Sequence, residues 1–306
     1  MKRSRFAPAD GVAFGAGAYA CWGMFPAFFG LLAASAPLEI LAHRIVWTAV
    51  LMVLVVAMFG RIRPFFAMGG RSWGLVAAAS LFITINWGVY IFGVVTGRVV
   101  ETALGYFINP LVSVVFGVLL FRERLSRAQL VAVVIAVTAV VVLTLDYGRP
   151  PVIALCLAFS FAMYGVVKKV MPLDPRLSVA GEALIAAPFA LGFLIVLGVA
   201  GSATFVSEGP AHAALLIAAG PVTAVPLLLF AVAVQRVPLV TMGILQYLTP
   251  ALQMAWGILV LREDMPASRW LGFALIWCAL AVFTADSVRR ARRRATARAV
   301  VPQGAP

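Results

Sequence analysis

Ten apolar stretches, an internal repeat and a lopsided distribution of Lys and Arg predict one fold class, an all-α integral membrane protein. The expected architecture is ten transmembrane helices in two inverted five-helix repeats, with N and C termini cytoplasmic. Of the 306 residues, 63% are hydrophobic and 11% charged, against about 25% charged in soluble domains. A helix needs about 20 apolar residues to cross the hydrocarbon, and the chain supplies that length again and again.

The first span, roughly 11–32, follows Met1-Lys2-Arg3-Ser4-Arg5. That start resembles a signal-peptide n-region, but the stretch behind it is of span length and lacks a convincing cleavage pattern, so it is read as a retained helix. Further spans fall at roughly 38–59, 73–95, 100–121, 128–146, 151–169, 178–198, 213–235, 238–261 and 267–286. Their continuity excludes the alternating strands of a barrel. Connections are short, and the longest, about Gly198 to His212, is expected to be a simple surface loop. The domains follow: a first repeat over 1–146, a second over 151–286, and an Arg-rich tail over 287–306 that is expected to be disordered. Nineteen Lys and Arg fall on the expected cytoplasmic side and four, Arg98, Arg149, Arg262 and Arg269, on the other. This is a strong positive-inside bias. The net charge of +13 is therefore mainly topological. Its tail is expected on anionic lipid headgroups, not on nucleic acid.

The repeat is legible residue by residue. Pro110, Gly117 and Arg122-Glu123 return 140 positions later as Pro250, Gly257 and Arg262-Glu263. Five helices per copy is an odd number, so the second copy enters the membrane upside down. Paired Pro-interrupted segments in two inverted halves point to the binding site of a secondary transporter. Pro110 and Pro250 are expected helix breaks, because proline removes a donor and crowds the carbonyl four residues back.

The polar side chains gather at those prolines. Thr102, Tyr106, Asn109 and Ser113 follow one another at helical spacing in span 4, and Met242, Gln246, Thr249 and Gln253 match them in span 9. Tyr106, Asn109, Gln246, Thr249 and Gln253 are the expected lining of a partly hydrated cavity; interhelical hydrogen bonding is the alternative reading. Trp22, Asn86, Tyr90 and Tyr164 are candidate walls. Arg44, inside span 2, is expensive in a bilayer and calls for a partner or water. Glu101 is its candidate partner in an outer gate or charge pair, with His43 and Glu39 as neighbours and snorkelling to the headgroups as the alternative. Glu182 sits early in span 7.

Enzyme signatures are weak. Gly70-Arg71-Ser72-Trp73-Gly74 satisfies GxSxG without a preceding strand or a plausible His partner. Metalloprotease, Walker A and dinucleotide motifs are absent from the sequence. Cys21, Cys156 and Cys278 all fall in spans, so neither a disulfide framework nor a metal site is indicated. No cofactor is expected, and transport would be gradient-driven or rely on another subunit. A membrane-embedded lipid-modifying enzyme is the runner-up, disfavoured because the titratable groups scatter in depth. A non-transporting scaffold leaves the paired stripes unexplained.

His43-Arg44, Glu101 with Leu104-Gly105-Tyr106-Phe107-Ile108-Asn109-Pro110-Leu111, Ala158-Phe159-Ser160-Phe161-Ala162 with Tyr164-Gly165, Thr223 with Val225-Pro226-Leu227, and Gln246-Tyr247 with Pro250 carry a resemblance. Together they resemble EamA-type members of the drug/metabolite transporter superfamily, most closely the RarD group, over nearly the whole chain. The resemblance implies the drug/metabolite transporter fold in a bacterial inner membrane, and alternating access with export of small metabolites or drugs. RarD proteins are commonly labelled in connection with chloramphenicol sensitivity. The substrate is expected to be a small uncharged or zwitterionic solute, and the Gly-rich spans permit a homodimer without requiring one.

Overall fold

A computed structural model describes residues 8–58, 69–122, 125–234, 236, 242 and 244–300. Every regular element among them is helical: α1 (Pro8–Gly23), α2 (Phe25–Gly30), α3 (Pro37–Met58), α4 (Gly70–Val95), α5 (Val99–Phe121), α6 (Arg127–Tyr147), α7 (Val152–Val170), α8 (Pro175–Val199), α9 (Thr204–Ser207), α10 (Gly209–Val234), α11 (Leu248–Leu259) and α12 (Ala267–Val300). Among the described residues, nine helices are long and apolar enough to cross a membrane, the first of them α1 and α2 together. The protein is a multi-pass membrane protein. The expected span over 238–261 is seen only as α11 and a few preceding residues; much of its first half lies outside the described residues.

The helices pack in a pattern that is unchanged when the halves are exchanged. α5 packs on α7 and α11 on α1; α4 packs on α7 and α10 on α1. The matched pairs α3 with α8, α5 with α11, and α6 with α12 meet one another. Lipid tails are as apolar as leucine, so such contacts depend on close packing and hydrogen bonds, not on exclusion from water. Gly220 illustrates this: a Cβ there would lie 2.6 Å from the Trp47 backbone. At Gly105 the obstacle is the Ala154 carbonyl, 2.8 Å away. The halves also turn alike. Arg122 and Arg262 are the only non-glycine residues among those described with positive φ, at 53° and 54°, an uncommon left-handed conformation at matched positions.

Four expectations are corrected. Pro110 lies inside α5, which runs unbroken through it. The tight seating of α5 on α7 holds the helix across the lost donor. Pro250 stands in the first turn of α11, where a missing N–H costs little, and the interruption of the span is the turn at Gln246-Tyr247 just before it. The connection between α8 and α10 is no simple surface loop. It forms α9, whose Thr204 N–H donates to Glu39 Oε1 at 2.7 Å, while Phe205 stacks on His43 with ring centroids 4.9 Å apart. Ser35 Oγ completes this docking, 2.5 Å from Thr204 Oγ1, and also lies 2.7 Å from His212 Nε2 on α10. Lastly, the Arg-rich tail is helical as far as Val300, as its Ala and Arg, both strong helix formers, favour.

Candidate functional site

The buried polar side chains form a seam between the halves. Asn109 on α5 donates to the Ala158 carbonyl on α7 at 3.2 Å; Thr249 on α11 donates to the Tyr19 carbonyl on α1 at 2.8 Å. These bonds are counterparts, each from the proline-bearing helix of one half to the first helix of the other. Gln253 adds a bond to the Trp22 carbonyl at 3.1 Å. Asn86 on α4 donates to the Leu157 carbonyl and to Ser160 Oγ on α7, both at 3.1 Å, and accepts from the Tyr106 hydroxyl at 3.1 Å. The carbonyl acceptors sit in helices whose own ladders leave a lone pair free.

Arg44 is the centre of a second group. It is 2% exposed, so it does not snorkel. Its Nε donates to Thr223 Oγ1 on α10 at 2.9 Å. The guanidinium carbon lies 4.2 Å from the Trp87 ring centroid, 5.1 Å from Phe29 and 5.3 Å from Phe25. Tyr90 and Tyr106, their ring centroids 5.9 Å apart, stand within electrostatic reach of the charge. The turn at Met24, between α1 and α2, serves both groups, since it directs Trp22 toward Gln253 and Phe25 toward Arg44.

The expected Arg44–Glu101 charge pair does not form. Glu101 binds Arg149 at 3.1 Å and accepts from the Ile153 N–H at the start of α7. Glu39 and Glu263 are engaged in the same way. Glu263 accepts from the N–H groups of Val99 (2.7 Å) and Val100 (3.1 Å) at the start of α5. A helix N-terminus presents unpaired donors and partial positive charge, which is what a carboxylate at low dielectric needs. Burial pushes the Glu263 carboxyl above its ordinary range, against the opposing pull of those N–H groups. His43 is held against Phe205 and takes no part with Arg44.

The other expected residues divide. Tyr106, Asn86 and Tyr90 come together beside Arg44, and Trp22, Thr249 and Gln253 share a clamp on α1. Tyr164 lies apart: its hydroxyl donates to Glu182 Oε2 at 3.0 Å, and Lys168 Nζ meets Glu182 Oε1 at 2.8 Å. Gln246 is half-buried in the turn ahead of α11, and Ser113 is exposed, so the two stripes do not face a single space. None of these residues lines the cavity of about 330 Å³ between α3, α4 and α8, an apolar crevice walled by Leu41, Ile45, Ala186 and Phe193. The Phe25, Phe29 and Trp87 cage was not legible beforehand, since aromatics at helical spacing look like core.

A family model for the EamA-like transporter family matches twice, over residues 10–145 and 150–285. Protein RarD of Streptomyces exfoliatus is 48% identical over 296 residues, covering 95% of this chain and 94% of the relative. An uncharacterized transporter of Bacillus subtilis, YojE, is 41% identical over 286 residues, covering 91% and 95%. A crystal structure at 17% identity superposes with a TM-score of 0.58 over 89% of this chain and 96% of its own, a likeness of fold. The doubled match falls on the two halves whose packing is exchange-symmetric, and the chain belongs to the EamA-like transporter family, close to its RarD members.

Proposed function

We propose that this protein is a secondary transporter that exports small metabolites or drugs by alternating access about the seam between its halves. It has ten spans, inverted repeats and both termini in the cytoplasm of a bacterial inner membrane. The observation that carries this reading is the destination of the buried hydrogen bonds. Arg44, Asn86, Asn109, Thr249 and Gln253 each bind the opposite half. Bonds of this kind in membranes are individually weak, about 0.6 kcal/mol on average, so a small set can exchange as one half rocks against the other. The carboxylates Glu39, Glu101 and Glu263 fasten the end of the bundle that the charge distribution assigns to the outside. Their engagement as helix caps also argues against a hydrolytic or lipid-modifying role. The family name and the names of the relatives agree with transport.

Counterflow in proteoliposomes tests the reading. Tyr106→Phe and Gln253→Met, which keep the packed volume, should strongly reduce exchange of a transported solute while the protein still expresses and inserts. Undiminished flux in both variants would remove the seam from the mechanism.

A further inference from the structure

The Arg44 side chain is buried, and its Nη1 has no hydrogen-bond partner among the described residues. Its bond through Nε goes to a neutral hydroxyl, that of Thr223, and no carboxylate among the described residues pairs with it. Arginine keeps its charge in proteins, and a buried cation without a counter-charge is strongly disfavoured. The cage of Trp87, Phe29 and Phe25 eases the charge through ring faces but offers no acceptor in the plane of the guanidinium. The Tyr90 hydroxyl is likewise unpartnered, and its ring packs on the same Phe25 and Phe29 rings, with centroids 6.3 Å and 6.2 Å away, that the guanidinium faces. The arginine offers an unused donor and the tyrosine an unused hydroxyl against the same two aromatic rings.

We infer that Arg44 and Tyr90 bind the carboxylate of a monoanionic substrate whose apolar or aromatic body lies against Phe25, Phe29 and Trp87. One uncompensated positive charge matches one negative charge, which favours a carboxylate over a phosphate dianion. The neutral polar stripe led to the expectation of an uncharged or zwitterionic solute; the free cation shifts the choice to an acid. The inference rests on the transport reading and names its substrate class.

The test uses matched pairs on the full-length protein: benzoate with benzamide, phenylacetate with phenylacetamide, and inorganic phosphate alone. Thermal shift and proteoliposome counterflow are read for each. The acids should raise the melting temperature and exchange, while the amides and phosphate do neither. Arg44→Gln should remove the acid response. Tyr90→Phe should weaken it about tenfold, as loss of one hydrogen bond to a charged group implies. Should Arg44→Gln fail to fold, the acid–amide contrast on the unaltered protein and Tyr90→Phe decide. Exchange of amides without acids, or of no member, overturns the inference; the transporter reading is decided separately by the seam variants.

Discussion

At the scale of single residues, what decides the outcome is whether a polar atom keeps a partner. Asn86 serves three groups at once, so Asn86→Ala leaves the Tyr106 hydroxyl without its acceptor and removes a donor from Ser160 Oγ and the Leu157 carbonyl. Destabilisation of roughly 1–3 kcal/mol is expected, measured by denaturant titration in detergent micelles; a change below about 0.5 kcal/mol would contradict the assignment. The ion pair at Glu101 divides unevenly. Arg149 is 42% exposed, so Arg149→Ala should cost under about 1 kcal/mol. Glu101→Ala also strips the Ile153 N–H of its acceptor and should cost more. Equal effects would mean that the pair, not the cap, is what matters. Glu263 gives a pH signature. Its carboxyl is raised in the folded protein by burial, with Arg269 and Glu101 as charged neighbours, so folding favours its protonated form. That contribution is complete below the ordinary glutamate value and is lost as pH rises through the raised one. The stability difference between the unaltered protein and Glu263→Gln should therefore change as pH rises above the ordinary glutamate range; a flat difference would exclude the raised carboxyl.

At the scale of elements, close backbone approach sets tolerance. Gly220→Leu forces a side chain into the Trp47 backbone and should separate α3 from α10, at a cost of at least about 1–3 kcal/mol. Melting temperature in detergent checks it, with Gly165→Leu as the contrast because a Cβ there meets nothing within 4 Å. Element positions were largely legible in the sequence because apolar length is a one-dimensional property. Pro110 and Pro250 show where that reasoning ended. Both prolines were visible and their local effect is the same, but α5 is clamped along its length while the chain before α11 turns at Gln246-Tyr247. Which of them interrupts a helix is decided by neighbours that spacing alone does not reveal. Arg44 makes the same point for the site. Its expense was readable from its place in span 2, whereas its burial in place of snorkelling, and its choice of Thr223 over Glu101, depended on which helices became adjacent. The docking of α9 was illegible for a related reason, because a short Gly- and Ser-containing connection carries no periodic signal.

At the scale of the whole molecule, the two halves are interleaved, not merely abutted: α1 packs on α10 and α11, and α7 on α4 and α5. Each half therefore completes the other's surface. Chains cut in the short connection between Tyr147 and Val152 should co-purify when expressed together, and either alone should be degraded. The manner of joining has a consequence for how such a protein can vary. At Tyr19, Trp22, Leu157 and Ala158 the acceptor is main chain, present whatever side chain the codon specifies. At those four bonds only the donors Thr249, Gln253, Asn86 and Asn109 are encoded choices, and Ser160, which also accepts from Asn86, is the one encoded acceptor beside them. Random drift in α1 and α7 can thus change many of their side chains without unfastening the two halves, whereas the donor positions on α4, α5 and α11 are largely closed to change.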